Sequence, residues 1–363
     1  VVGTEFLLRS LTPNGEIALR VKMNRLARKE NQEEARSIVF DIENFSFLPN
    51  IKIPVEHSEY KYTASINSDG WRVPCLNKSQ KVDLFLIGDS FVFGTGVADV
   101  DTFSCAAKNL GKNLYTLGIP GGDTPTYLKI VEKNKNTILN NNVNNLSKDR
   151  PKIVLSIFTG NDYETLLNPE LHQRDYLPKN TSAKTKSRDT SASIGATLRS
   201  IIKAVNDEIV LNNRFGLGDS YVINGIKLIA IRQKMDGQNF YRLYAGSTFY
   251  TKNASSDKNL IASSLTLIKN RINMNGFEFG GLILIPDPAE ISESRFKRDA
   301  TLRGILGKIE EINRSHKFEN IIAACKTISL DCIDTRDVLD ENDYFIHDNH
   351  LNKNGVKKIV KNY

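Results

Sequence analysis

Residues 81–96 read KVDLFLIGDSFVFGTG, and the change of texture inside this stretch decides the fold. Val82, Leu84, Phe85, Leu86 and Ile87 form a nearly continuous apolar run, as expected of a strand buried on both faces of a parallel sheet. The run stops at Gly88-Asp89-Ser90. A glycine there permits a tight turn without Cβ strain. Ser90 is then presented at the carboxyl end of a central strand, where open α/β sheets place their ligands. Such a serine is a candidate nucleophile only if a base and oxyanion donors appear elsewhere in the chain.

Downstream the same punctuation repeats. A helix capped by Asp99 or Asp101 is expected to run to about Leu110. A short strand at Leu114–Leu117 then ends at Gly118-Ile119-Pro120-Gly121-Gly122, and a helix spans roughly Tyr127 to Leu139. After the polar connection Asn140–Lys152, a buried strand at Ile153–Phe158 ends at Thr159-Gly160-Asn161-Asp162. Strands alternating with helices argue for a parallel, helix-covered sheet. The sheet resumes at Gly281–Ile285, followed by helices at about Arg295–Ser315 and Ile321–Thr327. A last strand at Cys332–Asp334 precedes the tail Ile346-His347-Asp348-Asn349-His350-Leu351-Asn352 and a final helix from Gly355 to Lys361.

Upstream, residues 1–80 read as a stem and a β-rich lead-in. Ile17 to Met23 favours a strand and Met23 to Glu34 a helix. Ile51, Ile53 and Val55, then Tyr60 and Tyr62, then Ala64 and Ile66 recur at period two, and Asn67-Ser68-Asp69-Gly70 signals a turn before Trp71-Arg72-Val73. Residues 81–363 form the main α/β domain, interrupted by an insertion at about 165–275. Within it lie a Ser-, Thr- and Lys-rich loop at 174–194 and a helix near Thr197–Val210. A hairpin at Asn224-Gly225, aromatics from Phe240 to Tyr250 and a helix near Leu260–Ile272 follow.

Composition narrows the function classes. With 363 residues, 40% hydrophobic and 25% charged, the chain has material for a sizeable core. The net charge of +7 comes from scattered Lys and Arg without a zinc-finger or RNP-type signature, so nucleic acid is not an expected partner. An anionic glycan or a membrane surface fits the same charge. No run reaches the roughly 18 apolar residues of a membrane span. The start, Val1-Val2-Gly3, reads as an excised fragment, leaving room for an upstream anchor or signal peptide. Cys75, Cys105, Cys325 and Cys332 form no CxxC and few His lie near them, so a zinc site is not expected; no cofactor is expected either. Cys325 and Cys332 close a short loop and either pair in an oxidising compartment or stay buried thiols.

Acyl transfer at a serine needs a hydroxyl, a base, a group that orients the base, and oxyanion donors. Ser90 offers the hydroxyl. His350, in a polar turn between strand and helix, is the best base, with His347 as an alternative, and Asp348 can orient its imidazole. Oxyanion donors are expected from the Ser90 N–H, a Gly121 or Gly122 N–H and the Asn161 amide. His57, His172 and His316 lack motif context and read as structural. A second copy, Gly218-Asp219-Ser220, has no apolar strand before it and reads as a loop.

In this order over residues 81–361, the motifs resemble those of the SGNH (GDSL) hydrolases. The nucleophile block matches Gly88-Asp89-Ser90 and the glycine block Gly118-Ile119-Pro120-Gly121. The asparagine block matches Gly160-Asn161-Asp162 and the histidine block Asp348-Asn349-His350-Leu351-Asn352. The resemblance implies a flavodoxin-like three-layer α/β/α fold and metal-independent ester chemistry. It also implies Ser90 as nucleophile, His350 as base, Asp348 as its orienter, and Gly121 and Asn161 in the oxyanion hole. Many members place the acid three residues before the histidine, where this chain has His347. The Asp-x-His form looks like that of bacterial, cell-envelope branches linked to polysaccharide O-acetylation. An extracytoplasmic enzyme acting on an acylated carbohydrate or other ester is therefore expected. The Trp71-Arg72 lead-in and the Phe240–Tyr250 aromatics point the same way. A lipid or short-chain carboxylesterase and a non-catalytic glycan-binding protein are the alternatives.

Overall fold

The computed structural model describes residues 40–41, 45–57, 59–76, 81–142, 150–173, 257–302, 313–346 and 348–362. The expectations for residues 1–39 and for the insertion between 174 and 256, the second Gly-Asp-Ser included, lie outside them, as does His347. The chain divides into two units. One comprises Val1–Gln32, Lys179–Tyr244 and Phe296–Glu311, of which 296–302, a helical segment, are described. The other comprises Glu33–Pro178, Ala245–Arg295 and Ile312–Tyr363, and it holds both lead-in and sheet.

The lead-in begins with a two-residue pairing of β1 (Phe40–Asp41) and β2 (Ser46–Phe47). An antiparallel hairpin of β3 (Lys52–Glu56) and β4 (Lys61–Ser65) follows, closed by Glu56 opposite Lys61. The main sheet comprises β5 (Leu84–Gly88), β6 (Leu114–Gly118), β7 (Lys152–Phe158), β8 (Glu278–Ile285) and β9 (Cys332–Asp334). All five are parallel in the order β6-β5-β7-β8-β9. Counted along the sheet this is 2-1-3-4-5, the order of the flavodoxin-like doubly wound sheets, whose ligands lie at the carboxyl end where the winding reverses. Here that point lies between β5 and β7, the strands that lead into Ser90 and Asn161.

The helices are α1 (Ser90–Phe93), α2 (Phe103–Asn109), α3 (Thr124–Lys133), α4 (Lys135–Asn142), α5 (Tyr163–Leu166), α6 (Asp257–Met274), α7 (Pro288–Ile291), α8 (Glu293–Leu302), α9 (His316–Thr327) and α10 (Lys353–Asn362). The period-two alternation of the strands sends alternate residues to opposite faces. Phe85, Ile87, Leu155 and Leu284 meet Tyr127 of α3, Leu265 of α6 and Phe318 of α9. Leu84, Leu86, Val154 and Ile283 meet Phe103 of α2 and Ile359 of α10. Helices thus cover both faces. Among the described residues no helix is long and apolar enough to cross a membrane.

Several local expectations are corrected. Neither Asp99 nor Asp101 caps α2: Asp99 is drawn to Arg72, 2.9 Å away, Asp101 pairs with Lys357, and Thr102 stands at the helix start. The single helix expected over Tyr127–Leu139 breaks at Asn134, whose side chain bonds Ile130 O and accepts from the Trp71 indole. Helix α9 begins at His316, ahead of the Ile321 expected, and β8 begins at Glu278. Cys325 pairs with Cys332, and Cys75 pairs with Cys105, a link between the lead-in and α2 that the spacing did not suggest.

Trp71 and Arg72, part of the lead-in that points toward carbohydrate in the sequence, are buried at 0% and 2% exposure. Trp71 joins the core beneath α3. The Arg72 guanidinium donates to the carbonyls of Phe93, Gly94 and Val97 and to the Asp99 carboxylate. It pins the loop after Ser90 to the lead-in. Its removal strands three carbonyls and a carboxylate, so Arg72→Met is expected to cost about 3 kcal/mol of unfolding free energy in urea titrations. A cost below about 1 kcal/mol would show that this loop is held by other contacts.

Candidate active site

The three strand ends read from the sequence come side by side. Ser90 follows β5 in the centre, with the Gly121 turn after β6 on one flank and Asn161 after β7 on the other. Gly88 serves clearance rather than a left-handed turn: a Cβ there would lie 2.5 Å from Val92 Cγ2 and 3.0 Å from Ser156 Cβ. This close passage lets the chain turn from β5 directly into α1. The side chain of Asp89 caps α1 by accepting the Phe91 N–H at 2.9 Å.

The acid–base side arrives from the far end of the sequence. Tyr344 and Leu351 form an antiparallel bridge, and Phe345 N–H donates to His350 O. The loop between them carries Asp348 and His350. His350 Nε2 lies 2.7 Å from Ser90 Oγ, and its Nδ1 lies 2.6 Å from Asp348 Oδ1. The Asp348 carboxylate also accepts its partner's backbone N–H at 3.1 Å, which fixes the angle between the two side chains. Phe91 packs beside the imidazole, ring centres 5.1 Å apart.

Charge is distributed unevenly here. Burial works against the Asp348 charge, but His350, the Tyr60 hydroxyl and the backbone N–H outweigh it and hold the carboxyl well below the usual range. Burial pushes the Asp89 carboxyl up, against the Phe91 N–H, Asn161 and His350, which favour its charge. Beneath it Asp162 is pushed up strongly, by burial and then by the charge of Asp89; it is held by the Tyr127 hydroxyl and the Phe158 N–H.

The oxyanion candidates differ in their surroundings. Gly122 is buried and its N–H donates to Ile119 O at 2.9 Å, whereas Gly121 is exposed at φ +74° with nothing near the position of a Cβ. The Asn161 side chain is exposed; one amide N–H donates to Asp89 Oδ2 at 2.9 Å, and the amide carries a second. Three further histidines are described. His57 stacks on Tyr60, His316 lies edge-on to Tyr163, and His172 is buried against Thr124 at 2.7 Å, where burial pulls its imidazole down to about 4.

Sequence reasoning missed Glu59, Tyr60 and Arg295. Glu59 accepts the N–H groups of Ile346 and Asp348 at 2.8 and 2.9 Å, Tyr60 donates to Asp348 at 2.8 Å, and Arg295 donates to Ile346 O. For the hairpin pair the only sequence signal is position: Glu59 falls between the period-two runs and Tyr60 opens the second, where a hairpin turn needs no particular side chain. Neither the family models nor the curated proteins contain a match to this chain.

The floor beside the site carries Glu290 of α7, whose carboxyl bonds the Thr159 hydroxyl and the Asp287 N–H. Burial pushes it up to about 8. Folded and unfolded chains both hold this proton below the ordinary Glu range. Above it only the folded chain does, so stability declines until the folded group ionises. Glu290→Gln lacks that decline. Its unfolding free energy relative to the native chain is expected to grow between about pH 5 and 8 in urea titrations, then level off. A difference constant with pH would mean that Glu290 folds ionised.

Proposed function

We propose that this chain is a serine-dependent acyl-ester hydrolase or O-acyltransferase of the SGNH type, acting on acetyl esters of carbohydrate. The observation that carries the reading is the unbroken chain of contacts from Ser90 Oγ through His350 to Asp348, at 2.7 and 2.6 Å. Both fall within the reach required of a nucleophile and its base.

Ser90 Oγ bonds to the ester carbonyl carbon as its proton passes to His350 Nε2. The resulting oxyanion is met by the Ser90 and Gly121 N–H groups and the Asn161 amide, each donor typically worth about 3 kcal/mol. Gly121 is the assigned glycine because the Gly122 N–H is engaged with Ile119. Collapse expels the alkoxide, which takes the proton from His350 and leaves the acyl group on Ser90. An acceptor hydroxyl, from water or a sugar, then gives its proton to His350 and attacks the acyl carbon. Collapse breaks the bond to Ser90 Oγ, which takes that proton back from His350 as the free acid or the new ester leaves. Asp348 stays ionised throughout and supports the transient imidazolium.

The carbohydrate assignment rests on the resemblance of the Asp348-Asn349-His350 block, since Trp71 and Arg72 serve the core. The two disulfides favour an oxidising, extracytoplasmic setting.

Hydrolysis of p-nitrophenyl acetate by the native chain and by Ser90→Ala, with an oligosaccharide acceptor present, tests this directly. The variant is expected to lose at least about 10³-fold in kcat, and native activity should fall as the acyl chain lengthens. Acetylated oligosaccharide identifies a transferase and free acetate a hydrolase. A Ser90→Ala chain as active as the native one would end the proposal.

A further inference from the structure

The lead-in hairpin reaches the proposed acid–base loop through two consecutive residues. In the connection between β3 and β4, His57 N–H bonds Tyr60 O at 2.9 Å, which turns the Glu59 and Tyr60 side chains toward residues 346–348. Glu59 clamps two N–H groups of that loop with its two carboxylate oxygens. Tyr60 donates to Asp348 Oδ2, the oxygen that His350 does not use. Its ring is wedged between His57, at 4.3 Å, and Phe345, at 4.9 Å. Two aromatic neighbours leave the hydroxyl little freedom to turn away.

We infer that Tyr60 is a positioning residue for the His350–Asp348 pair, extending the row Ser90–His350–Asp348 by a fourth side chain supplied by the lead-in. The inference rests on the serine-esterase reading for its effect on turnover, though not for its effect on His350 itself. The hydroxyl does two things. It holds the carboxylate plane so that Oδ1 faces Nδ1, and it draws part of the Asp348 charge away from the imidazole.

The groups facing this pair are Asp89 from the β5–α1 junction, Glu59 and Tyr60 from the hairpin, His57 stacked on Tyr60, and Arg295 and Asp287 from the α7–α8 side through Ile346 O and Asn349. Tyr60→Phe leaves the other groups in place and keeps the aromatic ring between His57 and Phe345. It removes only the donor. With that donor gone, more of the Asp348 charge bears on the imidazole, and His350 holds its proton to higher pH.

The test compares the native chain with Tyr60→Phe in two measurements: p-nitrophenyl acetate kinetics from pH 5 to 9, and the NMR titration of the His350 ring protons. For the variant, kcat is expected to fall about tenfold, the loss of one hydrogen bond to a charged group, with KM nearly unmoved. The acid limb of the profile and the His350 titration should both move to higher pH. A merely structural role would lower activity without moving either. Native kcat together with an unmoved His350 titration overturns the inference. If the native chain turns over no ester, the esterase reading fails by itself, and the His350 titration still decides the role of Tyr60.

Discussion

A hydrogen bond between groups 260 residues apart in sequence, His350 Nε2 to Ser90 Oγ, is the constraint on which the architecture turns. A contact so distant in sequence survives only if both ends are held independently. Ser90 is held by β5, by its immediate passage into α1, and by Arg72, which ties three carbonyls of the following loop to the lead-in. His350 is held by the Tyr344–Leu351 bridge and by the clamps of Glu59, Tyr60 and Arg295. The lead-in contributes to both ends. It is therefore part of the site's scaffold rather than an appendage to the sheet.

The carboxyl end of the sheet buries Asp89, Asp162 and Glu290. All three have carboxyl groups pushed up by burial, while Asp348, beside His350, is held down. Each raised acid lies under backbone N–H or hydroxyl donors: Phe91 for Asp89, Tyr127 and Phe158 for Asp162, Thr159 and the Asp287 N–H for Glu290. These bonds rigidify the strand-to-helix turns from which Ser90 and Asn161 project. The carboxyl that is held down is the one that hydrogen-bonds the histidine ring. Environment, not residue type, separates their roles.

Much of this was legible in the chain itself. Apolar runs ending in Gly88, Gly118 and Gly160 mark strands β5, β6 and β7, because a strand buried on both faces admits little else. Ser90, Asn161, Asp348 and His350 are all brought to one end of the sheet, as their positions after strands imply. What was hidden depends on tertiary partners that local pattern cannot register. Asp99 looks like a cap until Arg72 claims it, and Asn134 looks helical until the Trp71 indole needs an acceptor. Trp71 and Arg72 follow a turn signal and carry no mark of their roles, yet one fills the core and the other satisfies buried carbonyls. Glu59 and Tyr60 carry no motif because their partners are mostly backbone atoms and one carboxylate at the far end of the chain.

The central claim is that Ser90, among all the serines of this chain, is the activated one. Its most direct test is labelling of the native protein with a fluorophosphonate, followed by peptide mass spectrometry. One phosphonyl group per chain, on the peptide containing Ser90, is the predicted result, with Ser220 of the second Gly-Asp-Ser unmodified. Absence of label, or label spread over other serines, would contradict it.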